Sequence, residues 1–489
     1  MTTSQQDPVE PLGETHGDGE TQYDPHRFTA LAVVLVAAFM DLLDQTIVNV
    51  AVPSVQRDLH SSYADLQWII AAYGLTFAVL LITGGRLGDM FGRKRMFLVG
   101  VAAFSLSSLF CGLADSSGTL IVARLLAGGS AAMMMPQVLA IIHVSFPASE
   151  IGKVIGLYGM IAGLAVVLGP VLGGVLVQAD LFGLGWRSVF LVNLPVGLFA
   201  ALGAVRLVRE SKSPTPPTAD LVGMLLACAG VGLLVYPLIQ GHADNWPTWS
   251  FGMMAAAVVL LVLLVVHQRA RTARNRTSLL ALNLFHMRSF GSGLMVQFLF
   301  GVVMSTFFVV WTLFMQDALH WSPIHAGLSA LPYSIAVALA GGVSMQVVVP
   351  RLGRRALMIG VWLMAIGFGL FAMELSWNGT GISTFELLWP PLIIGIGIGC
   401  IVAPLTNAVL TGVPLQDAGS ASGLINTAGT LGGSIGVSLV GLLFAPSLAT
   451  AYDYPGHGQT ALWCGVVGLV AMFALMFALP KNWMSPPPN

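Results

Sequence analysis

Fourteen runs of about twenty apolar residues, separated by short polar breaks, follow one another along the 489-residue chain. An α-helix of that length crosses the hydrocarbon core of a bilayer, about 30 Å thick, because each residue adds about 1.5 Å. Only 9% of the residues are charged, whereas soluble domains carry roughly 25%. The sequence therefore predicts an all-α protein embedded in a lipid bilayer. The predicted spans are 29–52, 66–87, 96–114, 118–145, 152–178, 187–208, 220–240, 248–267, 289–315, 324–348, 356–375, 385–412, 418–444 and 461–480.

Lysine and arginine are distributed unevenly between the two sides that these spans define. With a cytoplasmic N-terminus, eighteen of the 21 fall in cytoplasmic segments, Arg57 and Arg187 fall outside, and Arg124 lies within a span. Cytoplasmic loops of membrane proteins are enriched in these residues. The asymmetry predicts a multi-pass protein of the cell inner (plasma) membrane with both termini in the cytoplasm. The net charge of −1 gives no basis for nucleic-acid binding.

An internal repeat divides the chain. The loop Gly85–Arg95 lies between spans 2 and 3, and a shorter basic loop, Arg351–Arg355, lies between spans 10 and 11. If spans 7 and 8 are an insertion, the two loops occupy the same place in two six-helix bundles, which is typical of rocking transporters. The predicted divisions are a disordered cytoplasmic tail (1–27), an N-terminal bundle (28–208), a linker with two extra helices (209–288), a C-terminal bundle (289–480) and a cytoplasmic tail (481–489).

Several motifs lie at defined places in these spans. Span 1 contains DQTIVNVAVP from Asp44 to Pro53, and the loop after span 2 reads GRLGDMFGRKR from Gly85 to Arg95. Further motif residues in spans 4 to 6 are Arg124, Gly128, Gly129, Gly163, Gly169, Pro170, Gly173, Gly174, Trp186, Arg187 and Asn193. Together these residues resemble the major facilitator superfamily, and within it the fourteen-span drug:proton antiporter family. Met90, Ala127 and the pair Gly429-Thr430 depart from its usual pattern.

This resemblance implies a proton-coupled antiporter that exports small amphiphilic or drug-like compounds by alternating access. It implies a proton-coupling role for Asp44. It also implies a cytoplasmic latch and a fifth helix that marks antiport. The latch residues are Gly85, Asp89, Gly92 and Arg93, and the antiporter-helix residues are Gly169, Pro170, Gly173 and Gly174.

The charges within the spans carry chemistry of their own. Asp41 and Asp44 lie about 60° apart on one face of span 1, and a charge at that depth costs at least about 2.5 kcal/mol, so it indicates function. Counted at about 1.5 Å per residue, Asp44 and Arg124 lie at the same level of the membrane. We therefore expect Arg124 to hold the Asp44 carboxylate until protonation loosens the pair. Alternatively, Arg124 binds only backbone carbonyls and one aspartate merely faces water.

The remaining features are less specific. The latch glycines permit tight turns, although the loop also signals topology, and the glycines of span 5 permit close packing of another helix. Three amides, Gln297, Asn407 and Asn426, are candidates for the substrate cavity, although buried amides also bridge helices.

The sequence has no P-loop, no metal-ligand spacing and no catalytic cluster, so we expect no cofactor. We expect protons to be the energy source and the protein to function as a monomer. An uptake permease of the same fold is the nearest alternative, and a membrane-embedded enzyme or receptor is a more distant one.

Overall fold

The computed structural model describes residues 25–213, 220–243, 246–274, 282–410, 413, 418–450 and 454–479. Within these ranges every regular element is helical, and fourteen helical segments are long and apolar enough to cross a membrane. The prediction of an all-α chain with fourteen spans is confirmed. Both predicted tails lie outside the described residues, except for residues 25–27, and so do the basic residues Arg276 and Lys481.

The N-terminal helices are long and follow one another closely. Two of them begin with capping boxes, in which Ser62 and Asp65, and likewise Ser116 and Thr119, exchange hydrogen bonds between side chain and backbone and so satisfy unpaired amides of the first turn. The helices are α1 (Arg27–Leu59), α2 (Tyr63–Phe91), α3 (Arg93–Gly112), α4 (Ser117–Ser145), α5 (Ala148–Ala179), α6 (Ser188–Leu191) and α7 (Asn193–Leu207).

Two further helices follow, α8 (Leu221–Ala243) and α9 (Thr248–Ala273), which pack against each other. At the start of α8, Asp220 accepts hydrogen bonds from Gln268 Nε2 (2.7 Å) and lies 2.9 Å from His267 Nε2 of α9. This cluster ties the two helices together at one end.

The C-terminal helices are more often interrupted. The chain forms π-helical turns at Phe314–Ala318 and Ser344–Val348, which divide two of the spans. The helices are α10 (Arg288–Leu313), α11 (Pro323–Ser329), α12 (Leu331–Val343), α13 (Val349–Leu352), α14 (Arg354–Asn378), α15 (Trp389–Gly399), α16 (Val402–Leu410), α17 (Ala418–Thr450) and α18 (Tyr454–Leu475). We call α1–α7 and α10–α18 the two halves.

The two halves meet along a seam in which α2 packs against α17 and α5 packs against α11 and α12. Three side chains hydrogen-bond across this seam to backbone carbonyls: Gln67 to Val437 (3.0 Å), Gln316 to Val50 (3.2 Å) and Thr427 to Ala78 (3.4 Å). We call the end of the molecule with the α2–α3 loop the basic end. The first two bonds lie toward the opposite end and join the two halves there. Helix α8 packs against α2 and α17 beside this seam.

Candidate functional site

The two aspartates of span 1 are buried inside the N-terminal half. Asp41 and Asp44 are 0% and 1% exposed, and Arg124 of α4 is 2% exposed. Because Asp41 and Asp44 are three residues apart on α1, their side chains leave the helix on the same side. The residues that surround them come from α2, α4 and α7.

Asp44 is paired through both of its carboxylate oxygens. Arg124 Nη1 donates to Oδ2 across 2.5 Å, and Asn193 Nδ2 of α7 donates to Oδ1 across 2.9 Å. Asn193 also donates to Ser108 Oγ of α3 at 3.2 Å. The structure thus brings Asp44 and Arg124 into direct contact, as expected from their depth in the sequence. The charge of Asp44 is compensated by a cation at hydrogen-bond distance.

Arg124 is held by more than this ion pair. Its Nε donates to the backbone carbonyl of Ile69 on α2 across 3.2 Å, and its guanidinium carbon lies 4.4 Å from the centroid of the Tyr73 ring. A guanidinium over an aromatic face is attracted by the negative charge of the ring face. Arg124 therefore binds both the carboxylate and a neighbouring backbone, so the two functions considered for it occur together.

Asp41 has only neutral hydrogen-bond partners. The Tyr73 hydroxyl donates to Oδ1, and Gln45 Nε2, one helical turn along α1, donates to Oδ2 across 3.1 Å. No ion pair of Asp41 occurs among the described residues. The buried group of two carboxyls and one guanidinium carries one excess negative charge when both acids are ionised. One bound proton makes this group neutral, which lowers the cost of burying it.

A cavity of about 180 Å³ lies between the halves, next to this charged group. Its lining is largely apolar, with Phe308, Ile70 and Val437 among the wall residues, and among the described residues no charged side chain belongs to it. Its polar lining residues are Gln45, Asn49, Gln67, Ser305 and Thr312. Gln45 therefore belongs both to the cavity wall and to the hydrogen-bond group of Asp41.

The loop predicted as a latch is bound within the N-terminal half. Asp89 pairs with Arg93 at 3.0 Å, and Gly92 has φ = 112°, a conformation that favours glycine. The Glu210 carboxylate, from the segment after α7, accepts hydrogen bonds from the backbone amides of Lys94 (3.1 Å) and Arg95 (3.2 Å). Those amides belong to the first turn of α3, so Glu210 supplies the cap that Gly92 lacks. A Cβ on Gly85 would lie 3.5 Å from Pro136 Cβ of α4, an ordinary van der Waals contact.

The glycines of span 5 lie in two tight contacts. A Cβ at Gly169 would collide with Thr46 of α1, and a Cβ at Gly173 would lie 2.9 Å from the Ile47 carbonyl oxygen. On another side of α5, the Pro170 carbonyl lies against Gly327 of α11, and Gly174 is buried. This span therefore packs closely against α1 within its own half and against the other half across the seam.

The three amides predicted for the substrate site lie away from the cavity described above. Gln297 of α10 lies against α17, with Nε2 3.0 Å from the position of a Cβ on Gly429. Asn407 and Asn426 are exposed and are not among the residues that line the cavity. Their role in substrate binding stays a prediction. Tyr73 and Glu210 lie outside the sequence motifs, and their partners lie far along the chain.

Comparison with known proteins agrees with this architecture. The family model described as "Major Facilitator Superfamily" matches residues 34–222 and 218–437. The chain is 40% identical over 418 residues to the "Probable actinorhodin transporter" of Streptomyces coelicolor, covering 86% of this chain and 72% of that protein. It is 33% identical to the "Puromycin resistance protein pur8" of Streptomyces alboniger, covering 93% and 91%.

Among solved structures, a crystal structure of a D-xylose-proton symporter superposes with a TM-score of 0.66 at 14% identity, covering 93% of this chain and 98% of that one. At this identity the likeness concerns the fold alone. The family model matches most of the chain, so we conclude that this chain belongs to the Major Facilitator Superfamily.

Proposed function

We propose that the protein is a proton-coupled antiporter that exports small amphiphilic or drug-like organic compounds by alternating access. The observation that carries this proposal is the buried group of Asp41, Asp44 and Arg124 beside a largely apolar cavity at the seam of two halves. The names of the relatives, an actinorhodin transporter and a puromycin resistance protein, support compounds of this kind.

The charge balance of the buried group suggests how a proton is used. Asp44 is compensated by Arg124, while Asp41 has neutral donors only, so the excess charge resides on the pair of carboxyls. We propose that the two carboxyls take up one proton, and that their proton affinity differs between the two conformations of the transporter. Such a difference is required for coupling, because a ligand shifts an equilibrium only by its differential affinity.

The energy is sufficient for export. One proton that returns inward down 100 mV releases about 2.3 kcal/mol, which supports roughly fiftyfold accumulation of a neutral substrate. Asp89 and Glu210 hold the loop of the basic end against the N-terminal half. We propose that this loop forms a cytoplasmic latch in the conformation that is closed toward the cytoplasm. We also propose that the antiporter helix, α5, bends at Gly169, Pro170, Gly173 and Gly174.

Transport into everted membrane vesicles tests this function. With radiolabelled puromycin as the probe, we expect accumulation when respiration acidifies the vesicle interior and loss of accumulation when a protonophore collapses the gradient. An uptake permease would instead expel puromycin from such vesicles. Transport that persists unchanged after the proton gradient is removed would contradict proton coupling.

We also propose that the basic end faces the cytoplasm in the inner membrane, that both termini lie there, and that the monomer is the transporting unit. In the same proposal the N-terminal bundle ends at residue 208, and the C-terminal bundle begins after residue 288. Single cysteines at Arg93 and at Asp115, in a background without the four natural cysteines, test the orientation. We expect an impermeant maleimide added to intact cells to label position 115 and not position 93. Labelling with the opposite preference would reverse the topology.

A further inference from the structure

Gln45 connects the cavity with the buried carboxyl of Asp41. Its side chain lines the cavity, and its Nε2 donates to Asp41 Oδ2 across 3.1 Å. Among the described residues, this is the one hydrogen bond of the Gln45 side chain. The amide oxygen Oε1 is therefore available to a molecule in the cavity.

A primary amide has two faces of opposite character, since its nitrogen donates two hydrogen bonds and its oxygen accepts. An ionised Asp41 accepts hydrogen bonds only, so it requires the nitrogen of Gln45, and the oxygen then faces the cavity. A protonated Asp41 carries an O–H donor at Oδ2. That donor requires the oxygen of Gln45, so the amide turns over and its nitrogen faces the cavity.

We propose that Gln45 is a positioning residue whose amide turns over when Asp41 gains or loses a proton. The group that Gln45 presents to the substrate cavity then changes between acceptor and donor. When Asp41 is ionised, the cavity presents a hydrogen-bond acceptor and binds molecules with an N–H or O–H donor. When Asp41 is protonated, it presents a donor and rejects them. This inference rests on the proposed function and specifies how a substrate with a donor group and a proton exclude each other, as antiport requires.

The surroundings of Asp41 favour Oδ2 as the atom that takes the proton. Oδ1 accepts from the Tyr73 hydroxyl of α2, which serves either state of the acid. The other titratable or charged groups that act on Asp41 are Asp44 on α1, Arg124 on α4 and Tyr158 on α5. Asp44 and Arg124 are paired with each other at 2.5 Å, while Asp41 Oδ2 accepts from Gln45.

The cavity defines the rest of the ligand. Its walls are largely apolar and include the ring of Phe308, and no charged side chain lines it in the part of the chain that the structure describes. This lining suits a flat, apolar, uncharged body with a donor at its edge. A donor that meets the nitrogen of Gln45 stays unpaired in a buried site, which weakens binding by roughly 5- to 100-fold.

Two tricyclic probes separate the two orientations of the amide. Carbazole has one N–H donor and no acceptor, and 9-fluorenone has a carbonyl acceptor and no donor. Binding of each tritiated probe to the purified full-length protein is measured between pH 5 and pH 9, with excess unlabelled probe to define specific binding. We expect carbazole affinity to rise with pH by roughly 5- to 100-fold and fluorenone affinity to fall with pH. The same direction for both probes, or no binding of carbazole, would overturn the inference.

Two variants locate the effect. Gln45→Met keeps the length of the side chain and removes both the amide donor and the amide acceptor. We therefore expect the affinities of both probes to change by less than about twofold across the pH range. Asn49→Val removes the next amide of the cavity wall along α1, whose hydrogen bond among the described residues goes to the Thr46 carbonyl. We expect Asn49→Val to weaken binding but keep the opposite pH trends. Opposite trends that persist in Gln45→Met would exclude Gln45 as the link between Asp41 and the cavity. If that variant does not fold, the two probes still test the inference in the unaltered protein.

The outcomes distinguish this inference from the proposed function. If puromycin accumulates with the proton gradient but both probes follow the same pH trend, the protein is an antiporter and Gln45 is not its link. If the probes follow opposite trends but puromycin transport ignores the gradient, the amide switch exists and the proposed function fails.

Discussion

Arg124 Nη1 and Asp44 Oδ2 lie 2.5 Å apart between α4 and α1, and both side chains are at most 2% exposed. Removing one partner of a buried ion pair usually costs about 3–5 kcal/mol, because the other charge is left uncompensated. Here Asp41 lies on the same face of α1, within the electrostatic reach of Arg124. The buried group can therefore lose one carboxylate and still hold one negative charge for the guanidinium.

Asp44→Asn is expected to insert and fold but to lose gradient-driven efflux, since the remaining carboxylate is needed to balance Arg124. Asp44→Glu should retain part of the activity, because it preserves a carboxylate that can pair with Arg124. Everted vesicles with puromycin measure both variants, and size-exclusion chromatography checks the fold. Efflux by Asp44→Asn equal to that of the unaltered protein would place proton coupling elsewhere, with Asp41 as the first residue to test.

Asn193→Leu is expected to destabilise the protein by about 1–3 kcal/mol, because Asp44 Oδ1 and Ser108 both lose their donor in a buried site. Ser108→Ala is the matched control, since it removes only the 3.2 Å bond and leaves the bond to Asp44. Thermal unfolding in detergent compares the two variants. A smaller loss of stability in Asn193→Leu than in Ser108→Ala would contradict the role assigned to the asparagine.

Asp220 is expected to make the packing of α8 against α9 less stable at acidic pH. It immediately precedes α8, outside the span. Burial there opposes ionisation, but hydrogen bonds from His267, Gln268 and the Gly223 amide outweigh it, so the pKa of Asp220 lies below its usual 3.8. A lowered folded-state pKa contributes stability at pH values above the unfolded value of 3.8, and this contribution is lost as the pH falls through the lower, folded value.

The measurement is thermal unfolding in detergent between pH 3 and pH 7. Asp220→Asn should cost about 1.5–3 kcal/mol at pH 7, because the lost hydrogen bonds involve a charged group. The difference between the variant and the unaltered protein should shrink below about pH 4. A difference of the same size at pH 3 and pH 7 would mean that ionised Asp220 does not hold the two helices together.

Gly169→Ala is expected to destabilise the packing of α5 on α1 by about 1–3 kcal/mol, because its Cβ collides with Thr46 and lies 3.3 Å from the Ile47 amide nitrogen. Gly159→Ala on the same helix is the control, since no heavy atom outside its own helix backbone and chain neighbours lies within 4 Å of a Cβ there. We expect this control to melt at the same or a slightly higher temperature, as alanine favours a helix more than glycine does. Equal melting temperatures for the two variants would rule out a tight seam at Gly169.

Some of the site follows from the sequence because it depends on quantities that are local to one helix. The spacing of Asp41 and Asp44 places them on one face, and the rise per residue places Arg124 at the level of Asp44. The contact of Asp44 with Arg124 followed from these counts. The positions of Gln297, Asn407 and Asn426 relative to the cavity do not follow from such counts, because which side of a helix faces a cavity depends on the rotation of that helix against its neighbours.

Hydropathy and charge are properties of each segment alone, so the fourteen helices and the asymmetry of basic residues follow from the sequence. Three contacts require the packed helices: Asn193 completes the pairing of Asp44 from 149 residues away, Tyr73 and Gln45 donate to Asp41, and Glu210 caps α3. These bonds join side chains from helices that meet only after packing. The physical reason is that a buried polar group must find a partner, and packing geometry chooses which donor lies within about 3 Å.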